Sequence, residues 1–177
     1  MMERTSVVSR NTKETEIQIS LNLDGSGKAD IQTGIGFFDH MLNSFARHGF
    51  FDLTVKAKGD LEVDTHHTIE DTGIVLGQAI KQAVGDKKGI VRYGSQILPM
   101  DESLVLCALD LCGRPYLVYD LDLDREKVGD LETEMVREFF YAVSYAAEMN
   151  LHIRQMAGMN NHHIIEAAFK AFAKALD

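Results

Sequence analysis

The sequence predicts an α+β fold made of two copies of a βββαβα unit, with the helices packed between two sheets. Three observations lead there. The pattern H-H-x-x-E occurs at positions 66–70 and again at 162–166, each time running into apolar, helix-like sequence. The order of elements over residues 1–86 repeats over 87–177. Strand-like stretches alternate with period two, whereas others place apolar residues three and four apart. Residue identity between the halves is low outside the motif, so the duplication rests on element order. The two half-repeats are expected to form a single compact unit.

Taken in order, residues 5–12 alternate and form a first strand. Residues 14–23 are a second strand, with Ile17, Ile19, Leu21 and Leu23 on one face. Asp24-Gly25-Ser26-Gly27 is a turn, and residues 28–33 are expected to return as the other arm of a hairpin. Phe38, Met41, Leu42 and Phe45 then follow helical spacing, with Gly49 as a C′ stop. A strand over 51–57 is broken at Gly59-Asp60. Residues 66–84 are a long helix burying Ile69, Gly73, Leu76, Gly77 and Ile80.

The Gly85-Asp86-Lys87-Lys88-Gly89 stretch is the boundary between the halves. Three strands follow over 90–99, 103–111 and 114–123. The middle one is nearly all apolar and so central in its sheet. A helix over 133–149, with Thr133 as N-cap, a strand over 151–156, and a helix over 162–176 capped by Asn161 complete the second half.

Length allows one good core or two small fused halves. A net charge of −9 argues against a nucleic-acid or anionic-membrane surface, but not against an anionic small molecule held by a local Arg/Lys cluster. Cys107 and Cys112 lack C-x-x-C spacing and read as buried thiols, rather than ligands, in a reducing cytosol. Met1-Met2-Glu3-Arg4-Thr5 shows no apolar signal region, and no stretch approaches the roughly 18 apolar residues of a membrane helix. A soluble, cytoplasmic chain is expected.

The chemistry lies in the histidines. On a helix, positions i, i+3 and i+4 share a face, so Glu70 sits beside His66 or His67, and Glu166 beside His162 or His163. Two imidazoles and a carboxylate at this spacing suit a metal, by the logic that places H-E-x-x-H on zinc. Adjacent histidines diverge, so each doublet serves two metals more naturally than one. His40, early in the first helix, and His152, in the strand before the last helix, bring the set to six imidazoles and two carboxylates. That divides into two sites of three His and one Glu, each with open positions. Helix geometry groups His66 and Glu70 with His152 and one histidine of the second doublet. His162 and Glu166 then join His67 and His40. The doublets need not meet within one chain; a symmetric oligomer could bring them together across an interface. A mixed N/O shell suits Mn, Fe or Zn, and the lack of thiolates argues against a structural zinc.

His48, before Gly49, reads as a helix-end histidine facing the dipole. Arg92, Arg114 and Lys170 are candidate anion binders, although each alone is an ordinary surface charge. Lys170 shares a helix face with Glu166. Glu14, Glu16, Asp64, Asp71 and Asp101 are spare carboxylates, any of which could act as a base.

Several longer motifs stand in fixed order: R-N-T-K-E-T at 10–15, G-I-G-F-F-D-H-M-L at 34–42, D-T-H-H-T-I-E-D at 64–71 and V-R-Y-G at 91–94. P-M-D-E at 99–102, G-R-P-Y at 113–116, N-N-H-H-I-I-E-A at 160–167 and F-K-A at 169–171 complete the series. Together they resemble the imidazoleglycerol-phosphate dehydratase family of histidine biosynthesis, over nearly the whole chain. The resemblance implies removal of water from imidazole glycerol phosphate to give imidazole acetol phosphate. It also implies two Mn2+ ions per active site, with other divalent metals as substitutes. Trimers would assemble into a 24-mer with active sites between subunits.

By the same resemblance His40, His66, His67, Glu70, His152, His162, His163 and Glu166 are metal ligands. Glu14 is the acid/base carboxylate, with His66 and His163 catalytic beside it. Glu14, His40, His48, Arg92, Arg114 and Lys170 contact substrate, the last three at phosphate positions. Members of that family continue into a Pro-Ser-x-Lys-Gly-like tail that helps hold the phosphate, whereas this sequence stops at Asp177. The expectation therefore covers the metal ligands in full and phosphate affinity and closure only in part. Two rival readings share the ligands: a dinuclear metal hydrolase of a small phosphorylated metabolite, and a metal store. Storage bundles favour Glu-x-x-His from four helices, unlike this strand-rich chain.

Overall fold

In the computed structural model, described over residues 4–177, the first half runs β1 (Thr5–Asn11), β2 (Thr15–Asn22), β3 (Ala29–Gln32), α1 (Gly36–His48), β4 (Asp52–Gly59) and α2 (His66–Val84). The second runs β5 (Tyr93–Met100), β6 (Ser103–Asp110), β7 (Tyr116–Asp120), β8 (Lys127–Val128), β9 (Leu131–Glu132), α3 (Glu134–Ala146), β10 (Asn150–Ala157) and α4 (Asn161–Leu176). Residues 1–3, part of the stretch read above as free of a signal region, lie outside the described residues. No helix among the described residues is long and apolar enough to cross a membrane.

Sheet topology carries the duplication more firmly than sequence does. One sheet has the order β1-β2-β4-β3 and the other β5-β6-β10-β7. In both, the first two pairings are antiparallel and the last is parallel. The central strand β2 alternates buried and exposed, and β6 buried and half-buried, as period-two side chains dictate. Each long helix covers its own sheet: α2 lies on β1 and β2, α4 on β5 and β6. Each short helix packs on the long helix of the other half, α1 on α4 and α3 on α2. The halves therefore share one core between the sheets. Phe38 meets Phe139 at 5.3 Å and Phe45 stacks on Phe172 at 5.2 Å, centroid to centroid. Each such fully buried ring contributes about 1.5–3 kcal/mol by leaving water.

The α2–α3 crossing depends on two small residues one turn apart. A Cβ placed at Gly77 would lie 2.6 Å from the Val143 carbonyl oxygen, and one at Gly73 2.8 Å from Ala142 Cβ. Gly77→Ala gains about 1 kcal/mol of helix propensity and forces two backbones apart at a cost of about 1–3 kcal/mol. We expect a net loss, read as a lower midpoint in chemical denaturation; an unchanged or raised midpoint would mean that the crossing is loose.

Several sequence expectations are corrected. β3 does not form a hairpin with β2. It runs parallel to β4, which lies between them. The chain crosses because Asp52 Oδ1 accepts hydrogen bonds from Ser26 N (2.8 Å) and Lys28 N (3.0 Å), drawing the 24–27 turn over to the start of β4. Gly49 ends α1 with an ordinary φ of −85°, and the left-handed residue is Phe50, at 57°. Glycine is required at 49 for space, since an added Cβ would lie 2.1 Å from the Phe51 ring. Thr133 occupies the N-cap position of α3 without capping, because its hydroxyl donates to the Arg125 carbonyl instead. The cap of α4 is Asn160, which accepts from the backbone N–H groups of His162 and His163. Asn161 turns away to Asp124 and to Arg125 N. The β8–β9 hairpin was not expected, and it places Asp130 over the start of α1. There the carboxylate accepts from Gly36 N (2.6 Å) and Phe37 N (2.8 Å), capping a first-half helix from the second half.

Cys107 is fully buried on β6 and Cys112 is half-buried; both are free thiols. Burial pushes the Cys107 thiol up, so it stays protonated.

Candidate metal centre

The α1–α4 packing brings His40 of the first half onto the second motif. His40 Nε2 lies 3.5 Å, and His162 Nε2 3.1 Å, from Glu166 Oε2. Ligand atoms of these three side chains fall within 4.8 Å of one another, the one such trio of His, Cys, Asp or Glu noted among the described residues. The residues fit a divalent ion. Two ligands held about 2.1 Å from one ion at right angles stand about 3 Å apart, close to the separations observed. Phe37 closes one side, edge-on to His162 at 5.0 Å.

Glu166 is buried, and its second oxygen accepts from Lys170 Nζ at 2.6 Å. Burial works to raise this carboxyl, but the hydrogen bond and charge of Lys170, helped by His162 and His40, hold it below its ordinary value. It is therefore an anion ready to ligate.

Both doublets have the divergent geometry inferred from sequence. The His66 and His67 rings are 6.1 Å apart and inclined at 74°, and the His162 and His163 rings are 6.0 Å apart at 75°. Within each, the first histidine turns to the motif glutamate, with His66 Nε2 3.8 Å from Glu70 Oε2. The second turns to another carboxylate. His67 Nδ1 donates to Asp60 Oδ2 at 2.9 Å, and His163 Nδ1 to Glu102 Oε2 at 2.7 Å. These bonds raise the pKa of both rings, and the His163 bond pulls the Glu102 carboxyl down to about 2.

Other expected residues stand apart. His152 is exposed on the outer side of β10, and His67 is outside the His40 trio. Within one chain, three of the eight candidate ligands thus converge, and His66 with Glu70 forms a second, incomplete pair. Glu14 is exposed in the β1–β2 turn, and among the described residues its carboxylate makes no hydrogen bond or ion pair. Asp71 is a structural group, fixed by Arg10 (3.0 Å) and Thr15 (2.5 Å), and Asp64 accepts from His66 N at the start of α2. Arg92 is paired with Asp110 at 2.8 Å, and Arg114 is exposed after Gly113. His48 is half-buried; burial, then the charge of Lys170, holds it below its ordinary value. Sequence reasoning missed Asp60, Glu102 and Asp130. Only Glu102 left a signal: like Glu14, it sits in the turn just before the second strand of its half.

Residues 33–176 match the family model "Imidazoleglycerol-phosphate dehydratase". An imidazoleglycerol-phosphate dehydratase of Lachnoclostridium phytofermentans is 70% identical over 99% of this chain and 90% of its own length. That of Acetivibrio thermocellus is 66% identical with the same coverage. The crystal structure of the enzyme from Staphylococcus aureus superposes with a TM-score of 0.85 at 43% identity, covering 97% of this chain and 96% of that one. The Pyrococcus furiosus structure gives a TM-score of 0.84 at 35% identity, covering 96% and 90%. The family-model match and this similarity over nearly the whole chain, on a duplicated sheet topology, place the chain in the imidazoleglycerol-phosphate dehydratase family.

Proposed function

We propose that this chain removes water from imidazole glycerol phosphate to give imidazole acetol phosphate, a carbon–oxygen hydro-lyase step of histidine biosynthesis. The observation that carries the reading is the His40–His162–Glu166 trio in a chain of this family. The carbon proton to be lost has no neighbouring carbonyl and is not acidic by itself. The imidazole ring must therefore serve as electron sink while hydroxide leaves. Divalent ions, Mn2+ first among them, supply positive charge and a template beside that ring when bound.

The chain's own residues do the rest. His40, His162 and Glu166 hold one ion. His66, His67, Glu70, His152 and His163 are the remaining ligands, with His66 and His163 next to the reacting groups. Glu14, exposed and without a side-chain partner among the described residues, moves the carbon proton. Arg92, Arg114 and Lys170 hold the phosphate, Arg114 from an exposed position, while His40 and His48 border the substrate. Because one chain gathers three of eight ligands, the site is completed by other copies. We infer a homo-oligomer, trimers building a 24-mer, acting in the cytoplasm with two Mn2+ per active site. A net charge of −9 supports a small-molecule enzyme rather than one that binds nucleic acid.

The test is a product assay with Mn2+ and imidazole glycerol phosphate. We expect an ultraviolet-absorbing enol or ketone to appear with no inorganic phosphate. Phosphate release would favour the dinuclear hydrolase, and a metal-loaded but inert protein the store.

A further inference from the structure

The duplication makes Glu14 and Glu102 counterparts, yet they are engaged differently. Glu14 immediately precedes Thr15, the buried first residue of β2, and Glu102 immediately precedes Ser103, the buried first residue of β6. β2 and β6 occupy the same place in their sheets. Glu102 is fully occupied. One oxygen accepts from His163 Nδ1 at 2.7 Å, and the other from Asn160 N at 2.9 Å, next to the motif itself. Glu14 makes no such bond to His67. There Asp60 holds Nδ1 at 2.9 Å, with its carboxylate mostly buried and its second oxygen without a partner.

Register explains the exchange. Gly59 pairs with Thr15, and the next residue is Asp60. In the other half Gly158 lies against Ser103, where an added Cβ would meet Ser103 Oγ at 2.2 Å, and the next residue is Met159, exposed and unable to accept a proton. One half thus has its orienting carboxylate after the third-paired strand and the other has it in the hairpin turn.

We propose that Glu102 and Asp60 are positioning residues that fix the rings of His163 and His67 with Nε2 presented to a metal, and that Asp60, by taking over this task, releases Glu14 to act on substrate. An ionised carboxylate only accepts, so Nδ1 carries the proton and Nε2 keeps its lone pair. Metal-bound histidines are commonly oriented in this way, and loss of the partner weakens metal affinity about 10- to 100-fold.

The inference rests on the metal-dependent reading above, and one set of titrations separates the two. Metal-stripped protein is titrated with Mn2+, following the free ion by electron paramagnetic resonance, with folding checked by circular dichroism. We expect Glu102→Ala and Asp60→Ala each to weaken binding about 10- to 100-fold at one class of site and spare the other. Glu102→Gln, whose amide oxygen still accepts from Nδ1, recovers most of the affinity. Glu14→Ala, the counterpart by duplication, leaves Mn2+ affinity unchanged. If the unmodified chain binds no Mn2+, the metal reading falls and the positioning roles with it. If it binds Mn2+ and neither Glu102→Ala nor Asp60→Ala weakens binding, the positioning roles alone are overturned. A Glu14→Ala loss as large as that of Glu102→Ala overturns the division of labour.

Discussion

Glu14→Gln lowers turnover by about two to four orders of magnitude, the usual worth of a positioned acid or base, and leaves Mn2+ content unchanged. The expectation follows from where Glu14 stands. It is exposed in the β1–β2 turn and is tied to no partner among the described residues. Removing its charge therefore breaks no structural contact. Two of the other spare carboxylates are less free: Asp71 is locked by Arg10 and Thr15, and Asp64 serves the start of α2. Steady-state kinetics on the Mn2+-loaded variant should show the loss in kcat rather than in KM. Undiminished turnover would remove Glu14 from the reaction.

Glu166→Gln has the second large effect, and it has two parts. The trio loses its anionic member, so Mn2+ binding at that site falls by more than the roughly 10- to 100-fold of an outer-shell change. Lys170, mostly buried, also loses its charge partner, which costs about 1–3 kcal/mol of stability. Metal analysis and denaturation of the metal-free protein read the two parts separately. The metal-free protein also carries a pH signature. The Glu166 carboxyl is held below its ordinary 4.5 in the folded chain, so its contribution is present above that value. The contribution is lost as pH falls through the lowered folded pKa. The Gln variant lacks this contribution, so its stability should fall less steeply in that acid range. A variant as stable and as metal-rich as the parent would show that the trio is not a site.

Several features were legible because they are local. The helix of residues 66–84, the alternation of β2 and the divergence of neighbouring histidines follow from backbone periodicity, which the sequence displays directly. The eight candidate ligands were named from residue type and spacing alone. Their grouping was less accessible. His40 joined His162 and Glu166 as expected, because α1 packs on α4, but His67 went to Asp60, a loop residue with no spacing rule to announce it. The placement of β3 failed for a similar reason: a turn signal says that the chain reverses, not which strand it reaches, and here Asp52 decided.

By itself the sequence determined the repeated βββαβα order, the motifs that define the family and the chemical character of the candidate ligand set. These depend on near neighbours along the chain. The tertiary structure alone decided that the short helix of each half serves the long helix of the other, so that His40 meets Glu166. It also decided that two non-equivalent carboxylates hold equivalent histidines. Those outcomes depend on which surfaces bury each other, and burial is a property of the whole fold.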